Sequence, residues 1–514
     1  MPSRVSGGGT RVRDEPMNAM TELRADPALE RKLARLRRGE EPRVLDLFAG
    51  AGGISLGFRR AGFDIAGALE LDPLAALTHA TNFHRDADNF EAHARPRDMT
   101  RMDPQDLVEE LGLGTVEDAI DVLVGGPPCQ AYARVGRAKL REVADHPEAF
   151  RVDPRGNLYL RYLAYVRELR PLAVLIENVP DILHYAHTNI AQEIVEALDD
   201  LGYVARYSLI NTAFHGVPQM RDRVFLIGYR RELARPVRFP AATHRIELPP
   251  GYAGTRAVAL RYVDRLGMSG YQEPDLGNDD LPQAVTAEEA LADLPFLLGS
   301  SVTRGARRFD ELIPYRPNVA LSAYARLMRQ VWPGFAGGEG VWDHAIRALP
   351  RDLQTFAEMR EGAEYPEAHA TAARIARRMA SEQGLREGSA AFDHLWRQVV
   401  PPYDTGKFPN RWWKLRRDFP SRTLLAHLGK DSYSHIHYDA AQARTISVRE
   451  AARLQSFPDG FSFCGTMNPA FRQIGNAVPP LMAFGLAEVI QEDLVAAARA
   501  RGPALVEPLR AAAG

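Results

Sequence analysis

The chain carries 64 basic and 66 acidic side chains over 514 residues, a net charge of −2, so any hold on nucleic-acid phosphate has to come from basic residues gathered locally. Hydrophobic residues at 45% and charged ones at 25% describe a folded globular protein. No apolar run approaches the roughly 18–20 residues of a bilayer span, and the first residues lack the apolar stretch of a secretory signal. Only two cysteines, Cys129 and Cys464, argue against a disulfide framework or a cysteine-rich zinc site and fit a reducing cytoplasm.

A chain this long predicts two or three units rather than a single core. Residues 1–40 read as an N-terminal extension: a flexible Ser6-Gly7-Gly8-Gly9 stretch, then a short charged helix over PALERKLARLRRGEEP that stops at Gly39. From Arg43 the pattern changes. RVLDLF (43–48), DIAGALEL (64–71), AIDVLVGG (119–126), LAVLIENV (172–179) and RVFLIGY (223–229) are strand-like. Between them GISLGFRRAG, PLAALTHATNF, NLYLRYLAYVRELR and NIAQEIVEALDDLG carry apolar residues at helical spacing. Strands alternating with helices predict an α/β fold over 41–234, a mostly parallel, doubly wound sheet with ligands at the carboxyl ends of its strands. After residue 235 the regularity fails, and the stretch 235–468 reads as a second, irregular domain with short helices such as HATAARIARRMASEQG (369–384) and SVREAARLQ (447–455). Residues 469–500 hold a helix apolar enough to return to the first unit, and 501–514 read as a tail.

DLFAGAGG (46–53) sets a buried strand directly before a glycine-dense turn, where the backbone can approach a ligand and the next helix offers free N–H groups. The spacing departs from the dinucleotide fingerprint, because Ser55 stands where the third glycine would be. Glu70 ends the next strand-like run, placed to accept both hydroxyls of a ribose, and Asp98 follows where a carboxylate could accept from an adenine amino group. A nucleoside-containing cofactor is expected; these residues alone leave a nicotinamide dinucleotide and S-adenosylmethionine both open.

GGPPCQ (125–130) follows the strand AIDVLV. Two prolines stiffen the loop and hold Cys129 at the sheet edge, a setting for a reactive thiol rather than a buried packing cysteine. Glu177 closes the next strand-like run, and a carboxylate there needs a partner or a raised pKa. In QMRDR, Arg221 and Arg223 stand two apart, on one face of an extended segment. A thiol, a carboxyl group and two guanidiniums beside a nucleoside cofactor suit chemistry on a pyrimidine ring. The thiolate adds to carbon 6 of cytosine while the carboxyl group protonates or hydrogen-bonds nitrogen 3, which makes carbon 5 nucleophilic.

In this order, DLFAGAGG, ELD, GGPPCQ, NL (157–158), IENV, GVPQMRDRVFLIG, SVREAARLQSFPDGF and QIGNAVPP (473–480) resemble the cytosine-5 DNA methyltransferase family, over most of the chain outside the N-terminal extension and the middle region. The resemblance implies S-adenosylmethionine as methyl donor, S-adenosylhomocysteine as product, no metal ion, and a target cytosine extruded from double-stranded DNA. It puts Phe48, Gly50, Gly52, Gly53, Glu70, Asp98, Pro128, Leu158 and Asn476 around the cofactor. It makes Cys129 the nucleophile and Glu177 the acid, with Arg221 and Arg223 holding the base and its surroundings. It also implies a discontinuous cofactor domain flanking a target-recognition domain, and a cytoplasmic, monomeric modification enzyme that can be paired with a separately encoded restriction endonuclease. Two features depart from the family: Ala133 stands where a serine follows the aromatic after PCQ, and the middle region is larger than in compact members. A transfer-RNA cytosine methyltransferase and a catalytically silent DNA-binding homologue are the competing readings. A nicotinamide oxidoreductase fails on the glycine spacing and leaves Cys129 and Glu177 idle.

For the DNA-facing part, KFPNRWWKLRRDFPSR (407–422) interleaves cations with Trp412, Trp413 and Phe419. Lys407, Arg411, Lys414, Arg416 and Arg417, together with Gln130 beside the nucleophile, are the expected DNA contacts. HLGKDSYSHIHYD (427–439) has three histidines at mixed spacing without nearby cysteine, which reads as a polar loop rather than a zinc site.

Overall fold

The computed structural model describes residues 26–128, 158–185, 188–266, 270–301, 311–428 and 433–501; Cys129, Gln130 and Ala133 lie outside them. Six strands form the central sheet: β1 (Arg43–Leu47), β2 (Asp64–Leu69), β3 (Val122–Gly125), β4 (Ala173–Asn178), β5 (Tyr203–Asn211) and β6 (Asp222–Arg230), in the order β2-β1-β3-β4-β6-β5. The first four pair in parallel, and β6 runs antiparallel to both of its neighbours.

Two features depart from the strand reading above. β5 was not expected: its buried Tyr203, Ala205 and Tyr207 alternate with half-buried Val204 and Arg206, so it lacks the continuous apolar run of an inner strand. The reversal of β6 follows from the short connection Thr212–Arg221, which has no room for the crossover that a parallel partner needs. That reversal matters for the site. It brings the start of β6, with Arg221 and Arg223, to the edge where β1 to β4 end.

Helices cover both faces. On one, the Gly53–Arg60 helix packs on the final helix, Pro480–Ala500, so closely that a Cβ on Gly57 would lie 2.5 Å from the Ala483 Cβ. Leu56, Phe58, Met482, Leu486 and Ile490 are buried there. On the other, Leu160, Leu163 and Val166 of the Leu158–Leu169 helix and Ile194 and Leu198 of the Ile190–Asp200 helix pack on Leu45, Leu123 and Val174. The charged helix expected near the N-terminus runs over Pro27–Arg37 and is docked rather than appended. Leu29 and Leu33 are buried. Lys32 Nζ donates to the carbonyls of Ile120, Leu169 and Arg170 at 2.6, 2.9 and 3.0 Å, and Asp26 pairs with Arg170 and Arg230.

The region after residue 280 is irregular, with two small two-stranded sheets and the helices Tyr365–Glu382 and Ala390–Val399. The Val448–Leu454 helix ties this region together. Buried Arg453 there pairs with Asp293 and Asp459, Arg449 with Asp343, and Arg444, just before the helix, with Glu450. Charges this deep need such pairing to be tolerated at all.

Candidate active site

At the carboxyl edge of the sheet lies a cavity of about 740 Å³, within the size range of pockets that take a cofactor-sized ligand. Its floor is the turn after β1. Phe48 has φ 60° and Gly50 φ 56°; a non-glycine residue in that region is strained and persists only where its surroundings fix it. Glu70, just past β2, supplies part of that fixing. Its Oε2 accepts from the Gly50 N–H and its Oε1 from the Asp72 N–H, both at 2.8 Å. Asp98 is drawn alongside by the Arg97 N–H, which donates to the Glu70 carbonyl at 2.7 Å, and its Oδ1 accepts from the Thr100 N–H and hydroxyl.

Phe48, Gly50, Gly53, Glu70, Asp98, Pro128, Leu158 and Asn476 all line this one cavity, as do Glu177, Arg221 and Arg223. Gly52 does not line it. It sits behind the turn, where a Cβ would meet the rings of Phe83 and His79 at 2.5 and 2.9 Å. Gly53 also faces the returning segment, since a Cβ there would lie 2.2 Å from the Val478 carbonyl oxygen. The far wall is the segment Leu424–His427 together with Arg472, Gln473 and Asn476, so the first unit, the irregular region and the segment that returns after it enclose the same space. The fit to a sulfonium nucleoside rests on this set of groups: two carboxylates near one end, an aromatic ring, and a glycine turn that brings the backbone to the cavity.

Glu177 sits on β4 opposite Phe225 of β6, and Asn178 opposite Val224. Arg223 is two residues from Phe225, so it shares the face of Glu177 as a diagonal neighbour. Its Nε meets Glu177 Oε1 at 2.9 Å, with the two side chains 13% and 12% exposed. Burial lowers the affinity of the Arg223 guanidinium for its proton, and the Glu177 charge opposes that. Arg221 is fully buried and does not join the pair. It donates to the carbonyls of Leu424 and Gly475 at 3.0 and 3.1 Å, stitching the irregular region to the returning helix.

Three contacts were not anticipated. A Cβ on Gly126 would lie 2.9 Å from Glu177 Oε2, so this glycine makes room for the carboxylate. Asn178 Nδ2 donates to the Pro127 carbonyl at 2.7 Å, tying the proline loop to β4. Gln219 joins Gln455 and the Leu424 N–H, linking the QMRDR segment to the far wall. All three residues sit inside quoted motifs, but only the fold reveals their partners.

The expected DNA contacts are placed differently. Trp412 and Trp413 are buried on a short strand and serve as core. Lys414 lies between them and the Leu353–Glu358 helix, donating to the carbonyls of Phe356 and Met359 at 2.7 and 2.9 Å. Burial pushes its pKa down to about 8. Arg416 pairs with Asp418 and Arg417 with Glu361 and Glu288, while Arg411 stacks on Tyr403 at 3.6 Å. Lys407 is exposed. The basic run is therefore a surface over an aromatic core, and Lys414 belongs to the core. Lys414→Met should lower stability by about 2 kcal/mol, through two carbonyls losing their donor. The slope of DNA affinity against salt should stay unchanged; a shallower slope in a binding titration would restore Lys414 as a phosphate contact. His435 and His437 are buried too, and among the described residues no group of three His, Cys, Asp or Glu is arranged to hold a metal ion.

The C-5 cytosine-specific DNA methylase family matches residues 42–280 and 343–492, which takes in every wall of this cavity. The chain belongs to that family. This methylase is 34% identical over 459 residues to M.OihORF3336P of Oceanobacillus iheyensis, named as a type II methyltransferase, covering 88% of this chain and 96% of the relative. It is 32% identical over 483 residues to the type II methyltransferase M.AgeI of Thalassovita gelatinovora, covering 87% and 99%. A crystal structure from E. coli, named as a DNA modification methyltransferase encoded within a prophage, has the same fold, with a TM-score of 0.57 at 22% identity over 88% of this chain and 99% of that one. The methylase transfers a methyl group to carbon 5 of cytosine in DNA and takes it from S-adenosylmethionine. Among its described helices, none is long and apolar enough to cross a membrane.

Proposed function

We propose that this enzyme methylates cytosine within a short sequence of double-stranded DNA through a covalent adduct at Cys129. We further propose that it works as a cytoplasmic monomer in a restriction–modification system beside a separately encoded endonuclease, as the type II names of its relatives suggest. One observation carries the catalytic reading: the Glu177–Arg223 pair, Pro128 next to Cys129 in the chain, and the Gly50–Glu70 contact all border one cavity.

S-adenosylmethionine, when bound, supplies an electrophilic methyl group on its sulfonium and leaves as S-adenosylhomocysteine. Glu70 has lone pairs beyond its two backbone contacts for the ribose hydroxyls. Asp98 serves the adenine amino group, and Phe48, Leu158 and Asn476 enclose the rest. Cys129 as thiolate adds to carbon 6 of an extruded cytosine. Glu177 in its protonated form, held by Arg223, gives its proton or a hydrogen bond to ring nitrogen 3, so that the electron pair collects at carbon 5. Carbon 5 takes the methyl group; a water molecule accepts the carbon 5 proton, the electron pair left behind re-forms the 5,6 double bond and expels the thiolate, and the proton on nitrogen 3 returns to Glu177. Arg221 keeps the far wall in place.

Expression in a host without cytosine methylation, followed by base-resolution mapping, should reveal 5-methylcytosine in one recurrent short motif. Unmethylated host DNA from cells making the folded protein would overturn the activity on DNA; scattered methylation would overturn the sequence-specific role.

A further inference from the structure

Ser55, which replaces the third glycine of a dinucleotide turn, has no part in the chemistry above. It is fully buried, in the first turn of the Gly53–Arg60 helix. Its hydroxyl donates to Asp46 Oδ2 at 2.7 Å and lies 3.0 Å from His79 Nε2. With the hydroxyl hydrogen directed at Asp46, the Nε2–H of His79 completes the chain; burial keeps that ring neutral by pushing its pKa down to about 3 and pushes the Asp46 carboxyl up to about 7.

Each partner reaches a different part of the cofactor cavity. Asp46 is two residues before the strained Phe48. His79 belongs to the Pro73–Phe83 helix, whose cap, Asp72, donates its N–H to Glu70, and the His79 ring closes the space behind Gly52. Asp46 Oδ1 and His79 Nδ1 have no hydrogen-bond partner among the described residues, so the hydroxyl is what ties these two side chains together, a link between the turn after β1 and the helix after Glu70 that stands beside the one Glu70 makes through Gly50 and Asp72. Backbone held at φ near +60° needs such support from outside.

We propose that Ser55 is a positioning residue of the cofactor cavity, its hydroxyl holding the glycine turn and the Glu70 loop in register through Asp46 and His79. This rests on the reading that the cavity takes S-adenosylmethionine. The test titrates S-adenosylhomocysteine by calorimetry into the full-length wild type, Ser55→Ala, His79→Gln and Glu70→Ala, with melting curves and single-turnover methylation rates at saturating cofactor. Ser55→Ala should bind S-adenosylhomocysteine about tenfold more weakly, the scale of one lost hydrogen bond amplified by relaxation of the turn. Its saturated single-turnover rate should stay within twofold of wild type, a split that general loss of stability would not produce. Wild-type affinity in Ser55→Ala overturns the proposal even if its melting temperature falls. Where that variant does not fold, His79→Gln is read by the same criterion. If Glu70→Ala binds as wild type does, the cavity assignment fails instead, and the two failures are distinguishable.

Discussion

Cys129→Ala should transfer no measurable labelled methyl to DNA, while duplex DNA and S-adenosylhomocysteine bind within a few-fold of wild type. The expectation is this large because the ring cannot be activated in part. Carbon 5 of cytosine is a poor nucleophile until a sulfur bonds to carbon 6, and no other group in the described cavity can form that bond. Glu177 is an acid or acceptor, Arg221 and Arg223 are donors, and the second cysteine, Cys464, is not among the residues that line the cavity. The same logic gives a positive readout. DNA whose target cytosine carries fluorine at carbon 5 should accept the methyl group and then stay bonded to wild-type protein, because fluorine cannot leave as a proton does. Cys129→Ala should form no such complex. Undiminished methylation by the alanine variant, or an adduct that survives the substitution, would remove Cys129 from the mechanism.

The parts of this site that were legible in the sequence are those whose chemistry is local. A strand followed by glycines at special backbone angles, a proline-stiffened loop and a carboxylate closing an apolar run each announce themselves within a few residues. Strands at the same sheet edge then bring Gly50, Glu70, Pro128 and Glu177 together. What was not legible depends on partners far along the chain. The docking of the Pro27–Arg37 helix is set by carbonyls near residues 120 and 170. Lys414 reads as a phosphate ligand because a lysine directly after two tryptophans can equally be exposed or buried, and only the Phe356 and Met359 carbonyls decide it. Gly52 and Gly50 look alike in sequence, yet one packs against Phe83 and the other faces the cavity. β5 is hidden by Arg206 and Ser208, which break its apolar run.

Glu177→Gln should slow single-turnover methylation by about 10²–10⁴-fold, the contribution of a positioned acid, with cofactor affinity nearly unchanged because Glu70 and the glycine turn are untouched. Arg223→Ala should lose rate for a related reason: without the 2.9 Å contact the Glu177 side chain is free to turn away from the base. If Arg223 acts through Glu177, the two losses will not add. The double variant should be no slower than Glu177→Gln alone, because a guanidinium cannot position a carboxylate that is absent. Gly126→Ala belongs to the same set, since its methyl group would intrude on Glu177 Oε2, and its effect should vanish in the Glu177→Gln background. Rapid-quench measurements of the three single and two double variants settle the matter. Multiplicative rate losses for Arg223→Ala and Glu177→Gln would mean that Arg223 meets the base or the DNA on its own account, and an unchanged rate for Glu177→Gln would take the acid out of the reaction.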